Sequence, residues 1–393
     1  MHVRTAAVIA SLPAHLLPKR TVSITVGRNA PSQDLHIREI GFIHGIYVDA
    51  SGWSGGRMKA VVCESPLLLA VHDRPMPQRA PGEVLLRIRR IGMCGTDYHI
   101  YAGRQPFLSY PRVMGHELAG EVIEADEGSP FAAGQIVTIN PYLSCGSCIA
   151  CRKHRANCCM NIEVLGVHKD GGMCEYLSVP ADAVVAVGAL SLDEAAMVEF
   201  LAVGAHAVSR GAVTNGDAVL VIGAGPIGVA VGLFAQFAGG AVTLIDTSEA
   251  RLAHARDAVG IAATVHVADG IDETLAAATA GEFYDCVFDA TGNVGAMRNG
   301  LSYVAHGGRY VLVSVVREDL VFPDPEFHKR ETSLLGSRNA TKVDFELVIA
   351  RIADGSIPTA ALHTHSFSAL DAPEQVPALI ANQDVVLKAI GSF

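Results

Sequence analysis

No stretch of this sequence holds the ~18 uninterrupted apolar residues that a membrane-spanning helix needs, because glycine punctuates its most apolar segments. It has no fixed-period repeat and no low-complexity tract, which sets repeat architectures aside. Basic residues are the minority: 30 Lys and Arg against 40 Asp and Glu give a formal net charge of -10. That balance speaks against a nucleic-acid binder, which needs a basic face, but leaves room for a local cationic pocket. Charged residues make up only 18% and hydrophobic ones 50%, the balance of a soluble globular chain rather than a disordered one. The nine cysteines are odd in number and mostly clustered. That suits metal binding in a reducing compartment better than a disulfide framework, so a cytoplasmic protein is expected. The apolar run Ala6 to Leu17 is broken by Pro13 and His15 and lacks a small-residue cleavage site, so it does not read as a signal peptide.

A chain of 393 residues is long for one compact core, and two domains are expected. Residues 1–57 mix Pro, Ser and Gly without sustained period. They read as a poorly ordered extension, or as sequence upstream of a true start at Met58. From Met58 to about Asp182, short runs such as Glu83-Val-Leu-Leu-Arg-Ile-Arg89 and Gly120-Glu-Val-Ile-Glu124 alternate apolar and polar, the pattern of an antiparallel β-rich domain. From about Gly211 the pattern changes. Continuously apolar runs at Ala218–Ile222, Ala241–Ile245, Ala263–Val267, Tyr284–Phe288 and Arg309–Val315 alternate with helix-length segments. That alternation predicts an α/β domain with a parallel sheet.

Gly223-Ala-Gly-Pro-Ile-Gly228 follows the first of these runs and opens an apolar helix. Gly223 allows a tight turn, Gly225 lets the backbone approach a pyrophosphate, and Gly228 lets helix pack on strand. Pro226 and Ile227 lie at the helix start, whose free N–H groups and dipole favour phosphate. Asp246 ends the second run, eighteen residues beyond Gly228. A carboxylate there bonds ribose hydroxyls and repels a 2′-phosphate, so NAD is expected rather than NADP. Arg251, in the segment after it, is counted with the cofactor residues.

Cys145, Cys148, Cys151 and a fourth cysteine at 158 or 159 sit in one Gly/Ser/Asn-containing segment. Four thiolates on a short loop close around one Zn²⁺ with no open position, which makes a structural site. Cys94-Gly-Thr-Asp-Tyr-His99 and Gly115-His-Glu117 offer a thiolate, an imidazole and a carboxylate from separate loops, a set able to form an open zinc site.

The order Cys94…His116-Glu117, then the cysteine lobe with its seven-residue gap to Cys159, then Gly223-Ala-Gly-Pro-Ile-Gly228 resembles the zinc-containing medium-chain dehydrogenase/reductase family over Met58 to Phe393. The resemblance implies a GroES-like catalytic domain from residues 58–208 and 336–393, and a Rossmann NAD-binding domain, a doubly wound parallel sheet, from 209–335. It also implies a homodimer or homotetramer, two zinc ions per chain, and Cys159 as the fourth structural ligand. Cys94 and His116 would hold the catalytic zinc, with Glu117 and Glu199 competing for the third position. Ethanol-type members carry a cysteine in the segment where this chain has Glu199, whereas polyol and sugar dehydrogenases carry a glutamate followed by proline. Here Phe200 replaces that proline. Thr96 and His99 match the family's proton relay, and Glu117 is counted with them as catalytic. Tyr110–Glu117, Val164–Gly172 and Gly336–Ala340 look like the sugar-acid and polyol branch. Within the last, Arg338, aided by His168 or Lys169, is expected to bind a substrate carboxylate through its guanidinium fork. A threonine 3-dehydrogenase-like enzyme is the alternative, and a non-catalytic zinc-loop protein of the same fold is the alternative from another class. Intact mass and limited proteolysis of the native protein are expected to show either an extension open to protease or a start at Met58. A mass including Met1, with the extension protected from protease, would count against both.

Overall fold

The computed structural model describes residues 56–106 and 108–393. Nearly all of the expected extension, residues 1–55, therefore lies outside the described residues. The first strand, Arg57–Ser65, opens one residue before Met58. It pairs antiparallel with Leu68–Pro75 and with Arg112–Val113.

The larger β-rich sheet has seven strands. Its main path runs Val184–Ala186, Ile136–Ile139, Glu117–Glu124, Glu83–Gly92, Lys388–Ser392, His363–Ser368, and Tyr176–Pro180 also pairs with Glu83–Gly92. Pairing is antiparallel except between His363–Ser368 and Lys388–Ser392. The late strand Lys388–Ser392 lies beside Glu83–Gly92, with Gly391 opposite Ile91. The chain thus returns to its first sheet after building the second. Alternation explains the inner strand Glu83–Gly92 only in part: Val84, Leu86 and Ile88 are fully buried on one face, and Leu85 between them is buried as well.

The second sheet has six strands in the order Ala263–His266, Ala241–Asp246, Ala218–Ile222, Tyr284–Asp289, Val304–Leu312, Ser333–Gly336, all parallel. The chain winds outward in one direction from Ala218–Ile222, then in the other. That reversal creates a crevice at the carboxyl ends of Ala218–Ile222 and Tyr284–Asp289, where open α/β sheets bind ligands. Val219, Leu220 and Val221 are fully buried, as expected of a strand covered on both faces. The fifth strand begins at Val304, not Arg309 as the apolar run suggested, and ends at Leu312. His306-Gly-Gly308 interrupts its apolar pattern, and its pairing slips there between Tyr284 and Cys286.

The Val198–Gly211 helix links the two sheets. Its buried residues join one core that extends from Ala119 and Val185 to Val219 and Phe234. It lies against the Pro226–Phe237 helix closely enough that a Cβ on Gly204 would stand 2.5 Å from Ala230 Cβ. Among the described residues no helix is long and apolar enough to cross a membrane. Gly204→Ala is expected to cost about 1–3 kcal/mol through overpacking, read as a lower chemical denaturation midpoint. An unchanged midpoint would show that the two helices separate freely.

Candidate metal centres and cofactor cleft

The glycine-rich turn sits in the crevice. Gly223 has φ +102°, and its N–H donates to the Ile245 carbonyl at 2.8 Å. A Cβ on Gly225 would meet open space, whereas one on Gly228 would lie 1.7 Å from the Gly223 oxygen. Pro226 opens the helix and Gly225 caps it in extended conformation, leaving its first N–H groups free to face an anion; Ile227 follows, half-buried. Asp246 is 8% exposed. Its carboxylate accepts from Ala224 N–H at 2.6 Å and Ser248 N–H at 2.8 Å. It therefore ties the turn to the second strand, while Ser248 caps the Glu249–His254 helix. The Arg251 guanidinium donates to the Gln383 carbonyl at 2.8 Å. Asp289, which sequence reasoning missed, ends the fourth strand, fully buried, with one oxygen holding Thr291 and the other unpaired. Burial raises its pKa.

Cys145, Cys148, Cys151 and Cys159 bring their sulfurs within 4.8 Å of one another. Individual separations are 3.5 Å (Cys148–Cys151), 3.9 Å (Cys148–Cys159) and 3.4 Å (Cys145–Cys159). A tetrahedron with ~2.3 Å metal–sulfur bonds has edges of about 3.8 Å, so the four thiols fit zinc. Cys158 stays outside the cluster and is exposed. Backbone N–H groups of Ser147 and Cys148 lower the Cys145 thiol to about 5, while desolvation and the neighbouring thiols push Cys151 up to about 11. Cys63, Cys174 and Cys286 are buried elsewhere, packed as small apolar side chains.

The second cluster joins Cys94, His116 and Glu117, again within 4.8 Å. Cys94 precedes the Gly95–Tyr101 helix, and His116-Glu117 leads into the Glu117–Glu124 strand. Asp97, overlooked in the sequence, braces both: its carboxylate accepts from Cys94 N–H at 3.0 Å and Gly115 N–H at 3.3 Å, and stands 3.7 Å from His116 Nδ1. That nitrogen is buried and has no hydrogen-bond partner. Burial works to lower the His116 pKa, but Asp97 and Cys94 raise it well above the usual range. A buried, unpaired imidazole nitrogen amid anionic groups is the environment of a cation ligand, so these residues fit a metal too.

Glu117 carries a second partner that sequence reasoning missed. Lys388, 1% exposed, donates to both Glu117 oxygens at 2.7 and 2.6 Å and to the Met93 carbonyl at 3.1 Å, and lies 4.3 Å from the centre of the Phe200 ring. Glu199 opens the Val198–Gly211 helix beside this cluster but outside its ligand-distance set. It is 3% exposed, and Tyr142 donates its hydroxyl to it. Burial, opposed by His116 and reinforced by Glu117, raises Glu199 to about 7.

Two family profiles match the chain: the alcohol dehydrogenase GroES-like domain over residues 80–189 and the zinc-binding dehydrogenase domain over 226–354. The sequence is 39% identical to L-galactonate-5-dehydrogenase of Escherichia coli (strain K12) across 86% of this chain and 99% of that protein. The chain belongs to the zinc-containing alcohol dehydrogenase family. Its fold is that of an alcohol dehydrogenase (rspB) from E. coli CFT073 complexed with NADH, with a TM-score of 0.81 and 30% identity over 86% of this chain and 100% of that one. L-idonate 5-dehydrogenase from E. coli K-12 superposes with a TM-score of 0.79 at 26% identity, covering 86% of this chain and 99% of that one. This dehydrogenase therefore acts on CH–OH groups with zinc and a nicotinamide cofactor.

The remaining expected residues fall around the clusters. Thr96 is half-buried in the first turn of the Gly95–Tyr101 helix and His99 is exposed in its last. Partial desolvation, with Arg104 and Arg317 nearby, lowers the His99 pKa. Arg338 is exposed, its carbonyl accepts from Asn157 at 3.1 Å, and its charge, behind desolvation, depresses the pKa of His168. Lys169 turns to Glu163 at 3.4 Å.

Removing Lys388 leaves a carboxylate buried without its partner. Lys388→Met is expected to cost about 3–5 kcal/mol of unfolding free energy, and adding Glu117→Gln to recover a substantial part. Chemical denaturation of the single and double variants checks this. Additive losses would show that the pair is not coupled.

Proposed function

We propose that this dehydrogenase oxidises a secondary alcohol of a polyol or sugar acid with NAD, with Cys94, His116 and Glu117 holding a catalytic zinc and Cys145, Cys148, Cys151 and Cys159 a structural one. The observation that carries the reading is the convergence of Cys94, His116 and Glu117, with acidic Glu199 rather than a cysteine beside them. Similarity to L-galactonate-5-dehydrogenase and L-idonate 5-dehydrogenase supports the substrate class.

Bound zinc supplies Lewis acidity that favours deprotonation of the substrate hydroxyl, and the nicotinamide accepts the hydride. The chain's own work is positional. Gly223, Gly225 and Gly228 shape the turn for the pyrophosphate, and Pro226 and Ile227 start the helix behind it. Asp246 offers carboxylate oxygens to the ribose and opposes a 2′-phosphate, and Arg251 braces the adjoining segment through Gln383. Thr96 and His99 carry the proton outward. A lowered pKa keeps the His99 imidazole neutral near pH 7, the form able to accept a proton. Arg338, with His168 beside it, binds the substrate carboxylate.

Metal analysis is expected to find two zinc ions per chain, and Cys94→Ser to lose one of them. A panel of aldonates, polyols and threonine is expected to show NAD reduction on the first two groups. One zinc and no activity on any of the panel would overturn the proposal. Arg338→Ala is expected to raise KM for a sugar acid at least about 10-fold, the weight of a charged hydrogen bond, with KM for a neutral polyol little changed. An unchanged sugar-acid KM removes Arg338 from substrate binding.

A further inference from the structure

The cysteine lobe stands on a short stalk. Tyr142–Leu143 pairs antiparallel with Glu163–Val164, placing Tyr142 opposite Val164, and the lobe is the segment between. The segments adjoining both stalk strands are bonded into the thiols. Cys145 N–H donates to Cys159 Sγ at 3.2 Å, Met160 N–H to Cys148 Sγ at 3.5 Å, and Asn161 N–H to Cys159 Sγ at 3.3 Å. Closing four thiolates on one ion therefore fixes the two stalk strands as well.

From that stalk the Tyr142 hydroxyl donates to Glu199. From the lobe itself, Asn157, 4% exposed, bonds His206 Nε2 at 3.0 Å through its side-chain amide. His206 follows Glu199 by seven residues on the Val198–Gly211 helix, two turns along the same face. On its other side His206 Nδ1 meets Asp344 at 2.9 Å. The lobe thus grips this helix twice, once at the Glu199 carboxylate and once two turns further on. A surface loop that merely stabilised itself has no need of either contact.

We propose that the cysteine lobe, through Tyr142 and Asn157, positions the Glu199 carboxylate at the Cys94/His116 metal site, and that Tyr142 is a positioning residue for that site. The proposal rests on the proposed function, and further takes Glu199, which the family resemblance offers as a zinc ligand in competition with Glu117, to serve the catalytic zinc. Without the Tyr142 hydroxyl, Glu199 keeps its place in the helix but loses the bond that aims its oxygen. Partners that orient groups around a metal change its affinity about 10–100-fold when removed.

The test follows zinc release from the full-length, zinc-loaded protein to a chromogenic chelator. The phase belonging to the catalytic site is identified by its absence in Cys94→Ser. Tyr142→Phe, which keeps the ring, and Asn157→Ala, which leaves every cysteine in place, are both expected to speed that phase, Tyr142→Phe by about 10-fold. The expected kinetic signature is a fall in kcat exceeding any change in KM for NAD. Glu199→Gln is measured alongside. Fast release in all three variants supports the proposal. If either lobe variant releases zinc at the wild-type rate while Glu199→Gln releases it fast, the proposal is overturned and the reading of Glu199 stands. If Glu199→Gln itself releases at the wild-type rate, the reading of Glu199 falls and the proposal with it.

Discussion

The ammonium of Lys388 is held out of water between the Glu117 carboxylate, the Met93 carbonyl and the face of Phe200. Each contact ties a different element to the same point. Glu117 heads the strand that follows His116, Met93 immediately precedes Cys94, and Phe200 belongs to the helix that carries Glu199. Two buried charges are expensive to desolvate, and a misplacement of any one element would leave them unmatched. The pair therefore sets the spacing within which thiolate, imidazole and carboxylate meet, and the remaining architecture brings three distant segments to it.

Asp97 works at the same site on a smaller scale. By accepting from Cys94 and Gly115 N–H groups it locks together the two loops that carry Cys94 and His116. Its negative charge near His116 Nδ1 also increases the site's demand for a cation. Tyr142 and Asn157 extend this bracing to the helix behind. The acidic group at the edge of the site is thus held by a side chain from the stalk of the cysteine lobe rather than from the Cys94 or His116 loops.

What the sequence revealed follows from how local each constraint is. The Gly223–Gly228 turn was legible because a positive φ at Gly223 and a 1.7 Å approach at Gly228 are demands that only glycine meets. The four cysteines were legible because a short loop must supply all of their donors. The start of the fifth strand was misjudged because His306-Gly-Gly308 interrupts the apolar pattern on which the reading relied. Lys388 left no local trace: its partner lies 271 residues away, and a lysine in an apolar strand carries no mark of what it meets. Asp97 looked like an ordinary turn residue, and whether Glu117 or Glu199 stands nearer to Cys94 and His116 is lateral geometry that spacing does not encode.

The return of Lys388–Ser392 to the side of Glu83–Gly92 has a consequence for how the protein is made. An interior strand of the first sheet is synthesised after the whole parallel sheet. Until it arrives, the Arg90–Gly92 end of that strand lacks a partner on the side away from Glu117–Glu124, while Glu83–Arg87 can already pair with Tyr176–Pro180, and Glu117 has no ammonium to meet. An open edge of this kind is where nascent chains associate wrongly. The parallel sheet, continuous in the chain, can complete itself on the ribosome, whereas the catalytic half must wait. Lys388–Ser392, paired with His363–Ser368, then enters beside Glu83–Gly92 and carries in the charge that meets Glu117.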